Sequence, residues 1–396
     1  MDKIIKYFSF ALPLLWIIGL DQILLYFVSA SFFLFLALRQ KPFNLPMLWL
    51  LFFILSSILS MFFITETIRY FEAFRNIIVY LILLSVIYHY RDSDESRLQF
   101  LLSQLLIFIF WVVISGYLGY IKPISFIAPL KNILPGSISN SSFLSGLFSN
   151  NLGSKYYTIL GDMWRPSGIF THSTTLAISL ALSLPMIILY KNCYNKSILK
   201  RKFINILIFS IVVLIVLTTT RIALISLVFM FTYFLLKRKF YFSFLMVIFL
   251  IFSTLYLSYD FISAFRGGGS VSYRFQLYEK SFYYFLERPL FGWGAQMDIP
   301  GYEYLPALGS HSFYVNILFS TGIIGFLLLS LFFLSFIRHF NLRQSNSEVR
   351  VYINSSWIIF FTISITEVFH LDMLTVYVLM ILTAITSINQ NNRVIY

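Results

Sequence analysis

The sequence predicts an all-α, polytopic integral membrane protein with about twelve transmembrane helices and two long outward-facing loops. Three observations predict it. The 396-residue chain is 59% hydrophobic and only 11% charged, where a soluble domain carries about 25% charged residues. Apolar runs of about 17–25 residues recur from end to end, each long enough to cross a bilayer as a helix. The basic residues gather on alternate short connections. These features exclude a soluble enzyme, a disordered chain, a secreted disulfide scaffold and a nucleic-acid-binding domain. They also argue against an outer-membrane barrel, whose strands alternate over about 10 residues. The net charge of +13 finds much of its explanation in topology. A single cysteine, Cys193, leaves no intramolecular disulfide to form.

The expected spans lie near 5–20, 22–38, 46–64, 76–90, 99–120, 173–190, 203–219, 222–236, 241–259, 313–337, 353–371 and 373–388. The first run lacks a small-residue cleavage site and reads as the first helix, not a cleavable signal peptide. With the N-terminus inside, the inner connections carry about 18 of the 29 basic residues, among them Lys200, Arg201, Lys202, Lys237, Arg238 and Lys239, as the positive-inside rule requires. Both termini are then cytoplasmic. Residues 1–396 form a single transmembrane domain with neither an internal repeat nor a soluble unit. The long connections, 121–172 and 260–312, face outward. Long loops in compact proteins tend to be functional. Both are rich in aromatics and read as ordered caps, the second partly as an amphipathic helix from Tyr273 to Glu287, ended by Pro289.

Polar groups near hydrocarbon are costly and mark function or pairing. Under this topology Arg165, Arg221, Arg274 and His311 all fall on the outer side. Arg165 lies in the first loop, Arg221 at a tight turn after three threonines, Arg274 at the start of the amphipathic stretch, and His311 just before the tenth span. A guanidinium stays charged and grips phosphate with a planar fork of donors. Such groups can offset charge that builds on a diphosphate leaving group. A neutral imidazole, with an ordinary pKa of about 6.5, can take the proton of an attacking hydroxyl near neutrality.

Plainer roles fit the same residues. Arg221 suits the headgroup level, Arg274 a solvated helix face, His311 a cap or a core position, and His172 a structural role. Glu66, Arg69, Glu72 and Arg75 recur every three residues and read as a paired interfacial face. Glu367, His370 and Asp372 cluster at the outer end of the eleventh span, lining either the site or only the final hairpin. The glycine run at 266–270 lacks the Lys-Ser/Thr of a P-loop and reads as a flexible loop. The five histidines are dispersed with no metal-ligand spacing, so neither metal nor cofactor is expected. Tyr273, Tyr278, Trp293 and Tyr304 offer rings that could stack on sugars.

Four segments, "RPSGIFTHSTTLA" (165–177), "TTTRIALISL" (218–227), "YRFQLYEKSF" to "RPLFGWG" (273–294) and "HSFYVNILFSTGIIG" (311–325), resemble in their order the O-antigen polymerase/ligase superfamily. These are polytopic glycosyltransferases of bacterial surface polysaccharide assembly. The resemblance covers about residues 160–335. It departs from the family where His311-Ser312 stands for His-Asn, and His172-Ser173-Thr174 for His-Pro-Asn. The resemblance implies a GT-C-like fold in the bacterial inner membrane. It implies polymerisation of undecaprenyl-diphosphate-linked oligosaccharide repeat units, for O-antigen or capsule, at the outer face. His311 is then the catalytic base, and Arg165, Arg221 and Arg274 bind the diphosphate and glycan. His172, Tyr278 and Arg69 are further candidates. The implied partners are the lipid-linked oligosaccharide, membrane lipid and a chain-length regulator protein, with no nucleic acid and no metal. The alternatives are an O-antigen ligase, which passes the glycan to lipid A-core, and a polysaccharide flippase or other transporter. Against a transporter stand the absence of a repeat and the gathering of charge at the outer ends.

Overall fold

Helices stand wherever the described residues cover an expected span. The computed structural model describes residues 1–18, 42–64, 67–121, 125–127, 149–151, 153–158, 161–170, 172–195, 197–237, 269–297, 307–344, 346–368 and 373–388. The expected spans 22–38 and 241–259 lie outside the described residues, as do Glu66, Tyr304, His370, Asp372 and much of both long loops. In chain order the helices are α1 (Asp2–Ile18), α2 (Leu45–Ser60), α3 (Thr67–Tyr90), α4 (Glu95–Ile121), α5 (Ser173–Leu189), α6 (Ile198–Leu217), α7 (Arg221–Lys237), α8 (Gly269–Glu287), α9 (Phe313–Arg343), α10 (Ser347–Ser364) and α11 (Met373–Ser387). All but α8 overlap an expected span, with different bounds in places: α3 begins at Thr67 rather than near 76, and α10 ends at Ser364 rather than near 371. Among the described residues, Leu45–Phe63, Arg69–Tyr90, Glu95–Ile121, Ser173–Tyr194 and Phe313–Leu342 are long and apolar enough to cross a membrane. The protein is thus a multi-pass, mainly helical membrane protein.

The helix boundaries follow from capping chemistry. Asn44 precedes α2, accepts from the Met47 N–H at 3.2 Å and is followed by Pro46 in the first turn, where a missing N–H costs nothing. Asn346 caps α10 by accepting from the N–H groups of Glu348 and Val349, satisfying two otherwise orphaned donors.

At the centre stands α5, packed against α4, α6, α7, α10 and α11. Its sequence explains the position. Ala177, Ala181, Ser179 and Ser183 are all buried, and such small residues let neighbouring backbones approach closely. Its hydroxyls are satisfied in place. Ser183 donates to the Ser179 carbonyl at 2.6 Å, and Ser179 shares a 3.1 Å hydrogen bond with Thr375 of α11.

Two features depart from the simple helical reading. The first long loop contains antiparallel strand pairs: β1 (Ser125–Ile127) pairs with β2 (Ser149–Asn151), and β3 (Gly153–Thr158) pairs with β4 (Gly161–Pro166). The second is a break in α9 at Gly322, whose φ is 68°. The break is closed by the segment after α8. Trp293 and Gly294 donate their N–H groups to the carbonyls of Phe319 and Ser320 at 2.9 and 2.8 Å. Ile323 donates to the Pro289 carbonyl at 2.8 Å, and Ile324 to that of Leu290 at 3.4 Å. Irregular backbone inside a spanning helix survives only where protein re-satisfies it, and here residues 289–294 do so. The contact requires glycine on both sides. A Cβ at Gly292 would lie 2.4 Å from the Phe319 oxygen, and one at Gly322 would lie 2.2 Å from the Leu290 oxygen.

The glycine run expected to be a loop is partly helical, because Gly269 and Ser270 begin α8. The expected amphipathic stretch is α8 itself, ending at Glu287, two residues before Pro289.

Candidate functional site

Four separate segments converge at the end of the bundle that bears the long loops. The first brings Arg165. It sits in β4 opposite Ser154 of β3. Its Nε donates to the Thr218 carbonyl at 2.7 Å, and its Nη2 to the Thr220 hydroxyl at 3.3 Å. This fastens the first long loop to the turn between α6 and α7. That turn is strained, because Thr219 has a φ of 53°, a left-handed conformation uncommon for a β-branched residue.

The second segment brings Arg221, the first residue of α7. It follows Thr220, the partner of Arg165, and is partly buried. A guanidinium at a helix N-terminus adds its charge to the positive end of the macrodipole, and both attract an anion.

The third segment is α8. Arg274 directs Nη1 and Nη2 to one carboxylate oxygen of Glu367, both at 3.3 Å, and Nη1 also reaches the Thr366 carbonyl at 3.2 Å. One turn on, the Tyr278 hydroxyl donates to the His311 carbonyl at 2.8 Å.

The fourth segment holds His311 between Gly309 and the α9 N-cap Ser312. The His311 φ is 64°. A non-glycine residue held there costs about 1–3 kcal/mol and persists only when its surroundings impose it. Three bonds do so. Tyr278 holds its carbonyl, Ser312 accepts from the Val315 N–H at 3.4 Å, and Phe313 donates to the Glu367 carbonyl at 3.1 Å.

The electrostatics join these segments. Burial and then the Arg274 charge hold the His311 imidazole below its ordinary range. Burial pushes the Glu367 carboxyl up, while Arg274 and also Arg165 pull it down. Burial raises the Tyr278 hydroxyl, with opposing contributions from Arg274 and Glu367. Arg165, Arg274, Glu367 and His311 thus share one electrostatic neighbourhood. Its imidazole is held neutral near pH 7 beside fixed positive charge, a combination suited to proton abstraction next to an anionic leaving group.

The other candidates are placed differently. The His172 side chain is exposed. Its backbone starts α5, with its N–H donating to the Thr175 hydroxyl at 3.3 Å and its carbonyl accepting from that hydroxyl at 2.7 Å. Arg69 pairs with Glu72 at 3.1 Å, the i,i+3 pairing anticipated for that face. Trp293 is occupied by packing. The Arg288 guanidinium lies 4.0 Å from its ring centre, Phe319 stacks near-parallel at 15°, and the indole N–H donates to the Tyr284 carbonyl. Glu367, for which the sequence left two roles open, lies inside the site; His370 and Asp372 lie outside the described residues. Arg288 was not singled out from sequence, and its position directly before Pro289, next to Glu287, was the available signal. Among the described residues no group of three or more His, Cys, Asp or Glu could hold a metal ion.

Residues 203–330, about a third of the chain, match the family model described as O-antigen ligase. The match spans Arg221, Arg274 and His311, and it supports the O-antigen polymerase/ligase superfamily. No curated protein matches the chain.

Proposed function

We propose, from the premise that residues 203–330 carry the signature of the O-antigen polymerase/ligase superfamily, that this protein polymerises oligosaccharide units linked to undecaprenyl diphosphate. The reaction is placed at the outer face of the bacterial inner membrane. The observation that carries the reading is the gathering of Arg165, Arg274, Glu367 and strained His311 from segments far apart in the chain, with Arg221 beside the partner of Arg165.

Arg221 and Arg274, with Arg165, hold the diphosphate of a lipid-linked glycan. The His311 imidazole takes the proton from a hydroxyl on the terminal sugar of a second lipid-linked unit. The hydroxyl oxygen attacks the anomeric carbon of the first glycan. The bond from that carbon to the diphosphate oxygen breaks, and undecaprenyl diphosphate leaves with the electron pair. A single displacement inverts the anomeric configuration. Glu367 keeps the Arg274 fork in place until the diphosphate arrives. The arginines offset the negative charge that grows on the leaving group.

A second reading, transfer to a lipid A-core acceptor, is favoured by the description of the matching family model as a ligase. Purified protein supplied only with the lipid-linked unit separates the two. Chains that lengthen with no other acceptor establish polymerisation, while product that forms only when lipid A-core is added establishes ligation. His311→Ala is expected to lower the rate by about a hundredfold or more, the usual contribution of a general base. An unchanged rate would remove His311 from the chemistry.

A further inference from the structure

We infer that α8 lies in the plane of the membrane surface at the loop-bearing end, with one aromatic stripe sunk into the headgroup–acyl boundary. Heptad spacing divides the helix into stripes. Arg274 and Tyr278 face the site, and Leu277 and Ser281 are buried beside them. Phe275, Phe282 and Leu286, 67%, 54% and 57% exposed, form a separate stripe, bordered on its polar side by exposed Glu279. Gln276 and Glu287, one residue round from that stripe, are exposed and polar. A helix with an apolar stripe, a polar stripe and low net hydrophobicity is the pattern of an interfacial helix.

What covers the aromatic stripe follows from its continuity with α2. That helix is long and apolar enough to cross a membrane. Phe52, Leu55, Leu59 and Phe62 run exposed along it, so lipid covers that side. The ring contact at the end of that span joins it to the segment after α8. Phe63 stacks on Phe291 at 6.2 Å and 19°, and Leu290 beside it is 57% exposed. Leu286 and Phe282 continue the line. Arg288 marks the level of the junction. Its Nη1 donates to the Phe63 carbonyl at 2.9 Å, and its guanidinium lies over the rings of Trp293 and Phe63. Tryptophan gathers at this depth in membrane proteins, and arginine near a span end reaches for it. The stripe bearing Arg274 and Tyr278 is thereby held at headgroup depth. This inference stands on membrane crossing alone and does not need the transfer reaction.

The test uses the full chain with Cys193→Ser, reconstituted in phospholipid nanodiscs. Single cysteines at 275, 282 and 286 and at 276 and 287 carry a nitroxide. Collision with oxygen, which concentrates in lipid, is compared with collision with a water-soluble nickel chelate. Oxygen is expected to dominate at 275, 282 and 286, and the chelate at 276 and 287. Equal access of the chelate to all five sites would overturn the inference. So would shielding of 275, 282 and 286 from both reagents, because a protein partner or a second copy would then cover the stripe. If one variant fails to fold, the other positions on its stripe still decide the outcome.

Discussion

His311 is held in a left-handed backbone conformation by the Tyr278 bond to its carbonyl and by the anchoring of Ser312 and Phe313 beside it. Its chemistry is set by burial and by Arg274, which both lower its pKa. The imidazole therefore stays neutral near pH 7 and charges only below its ordinary value of about 6.5. Transfer should fall as pH drops through that lowered value. Removing one of the two causes raises the pKa, so Arg274→Gln should move the acid limb of the pH–rate profile to higher pH. An unmoved limb would mean that His311 is not the titrating base. Glu367 responds in the opposite sense. Burial raises its pKa, so acidification discharges the carboxylate and releases Arg274. Arg274→Lys preserves the charge but not the planar fork. Losing a charge-assisted bond of about 1.5–3 kcal/mol should lower kcat/KM by roughly tenfold to a hundredfold. Initial rates on the lipid-linked unit measure both effects. The charged and imidazole members of this site were legible in the sequence because such groups stand out in an apolar chain. The strain at His311 and Thr219 was not, because no composition or period encodes a positive φ in a histidine or threonine.

The connection between α8 and the break in α9 depends on two glycines with little room around them. Gly292→Ala or Gly322→Ala would push a Cβ against backbone oxygen in a left-handed conformation. Each is expected to destabilise the protein by about 1–3 kcal/mol and to displace His311, which begins the arm of α9 before the break. Gly116→Ala is a useful contrast, since the atoms nearest its Cβ would belong to the movable side chain of Leu214. Thermal unfolding in detergent should rank Gly116→Ala as the mildest of the three; equal losses would deny the interlock. The helices that overlap expected spans were legible from hydropathy, and α8 from its spacing, ending where Pro289 required. The break in α9 was hidden because "STGIIG" is apolar enough to continue a span. The partner that satisfies it, residues 289–294, lies about thirty residues away in the chain. The hairpin that positions Arg165 was also missed, since Gly153–Pro166 carries no sustained alternation of polar and apolar residues.

For the molecule as a whole, the central position of α5 and the placement of the long loops both bear on how the chain sits in its membrane. Buried Ala181 allows neighbouring helices to pack closely against α5. Ala181→Leu should overpack that centre and cost about 1–3 kcal/mol, read as a lower unfolding temperature with the helical circular-dichroism signal retained. The basic residues on short connections set the orientation. Alkaline phosphatase inserted between residues 300 and 301 should be active, and green fluorescent protein fused after Tyr396 should fluoresce. The reverse pattern would put the candidate site on the cytoplasmic side and end the proposed reaction.

The backbone clasp between 289–294 and 319–324 also constrains how this protein can be rebuilt. Each strip supplies the hydrogen-bonding groups that the other leaves open, so neither has a complete partner set alone. Grafting "RPLFGWG" from another protein that matches the same family model into this one should fail unless that donor's version of "FSTGII" travels with it. Exchanging the pair together should restore function, which makes these two distant strips one inheritable part.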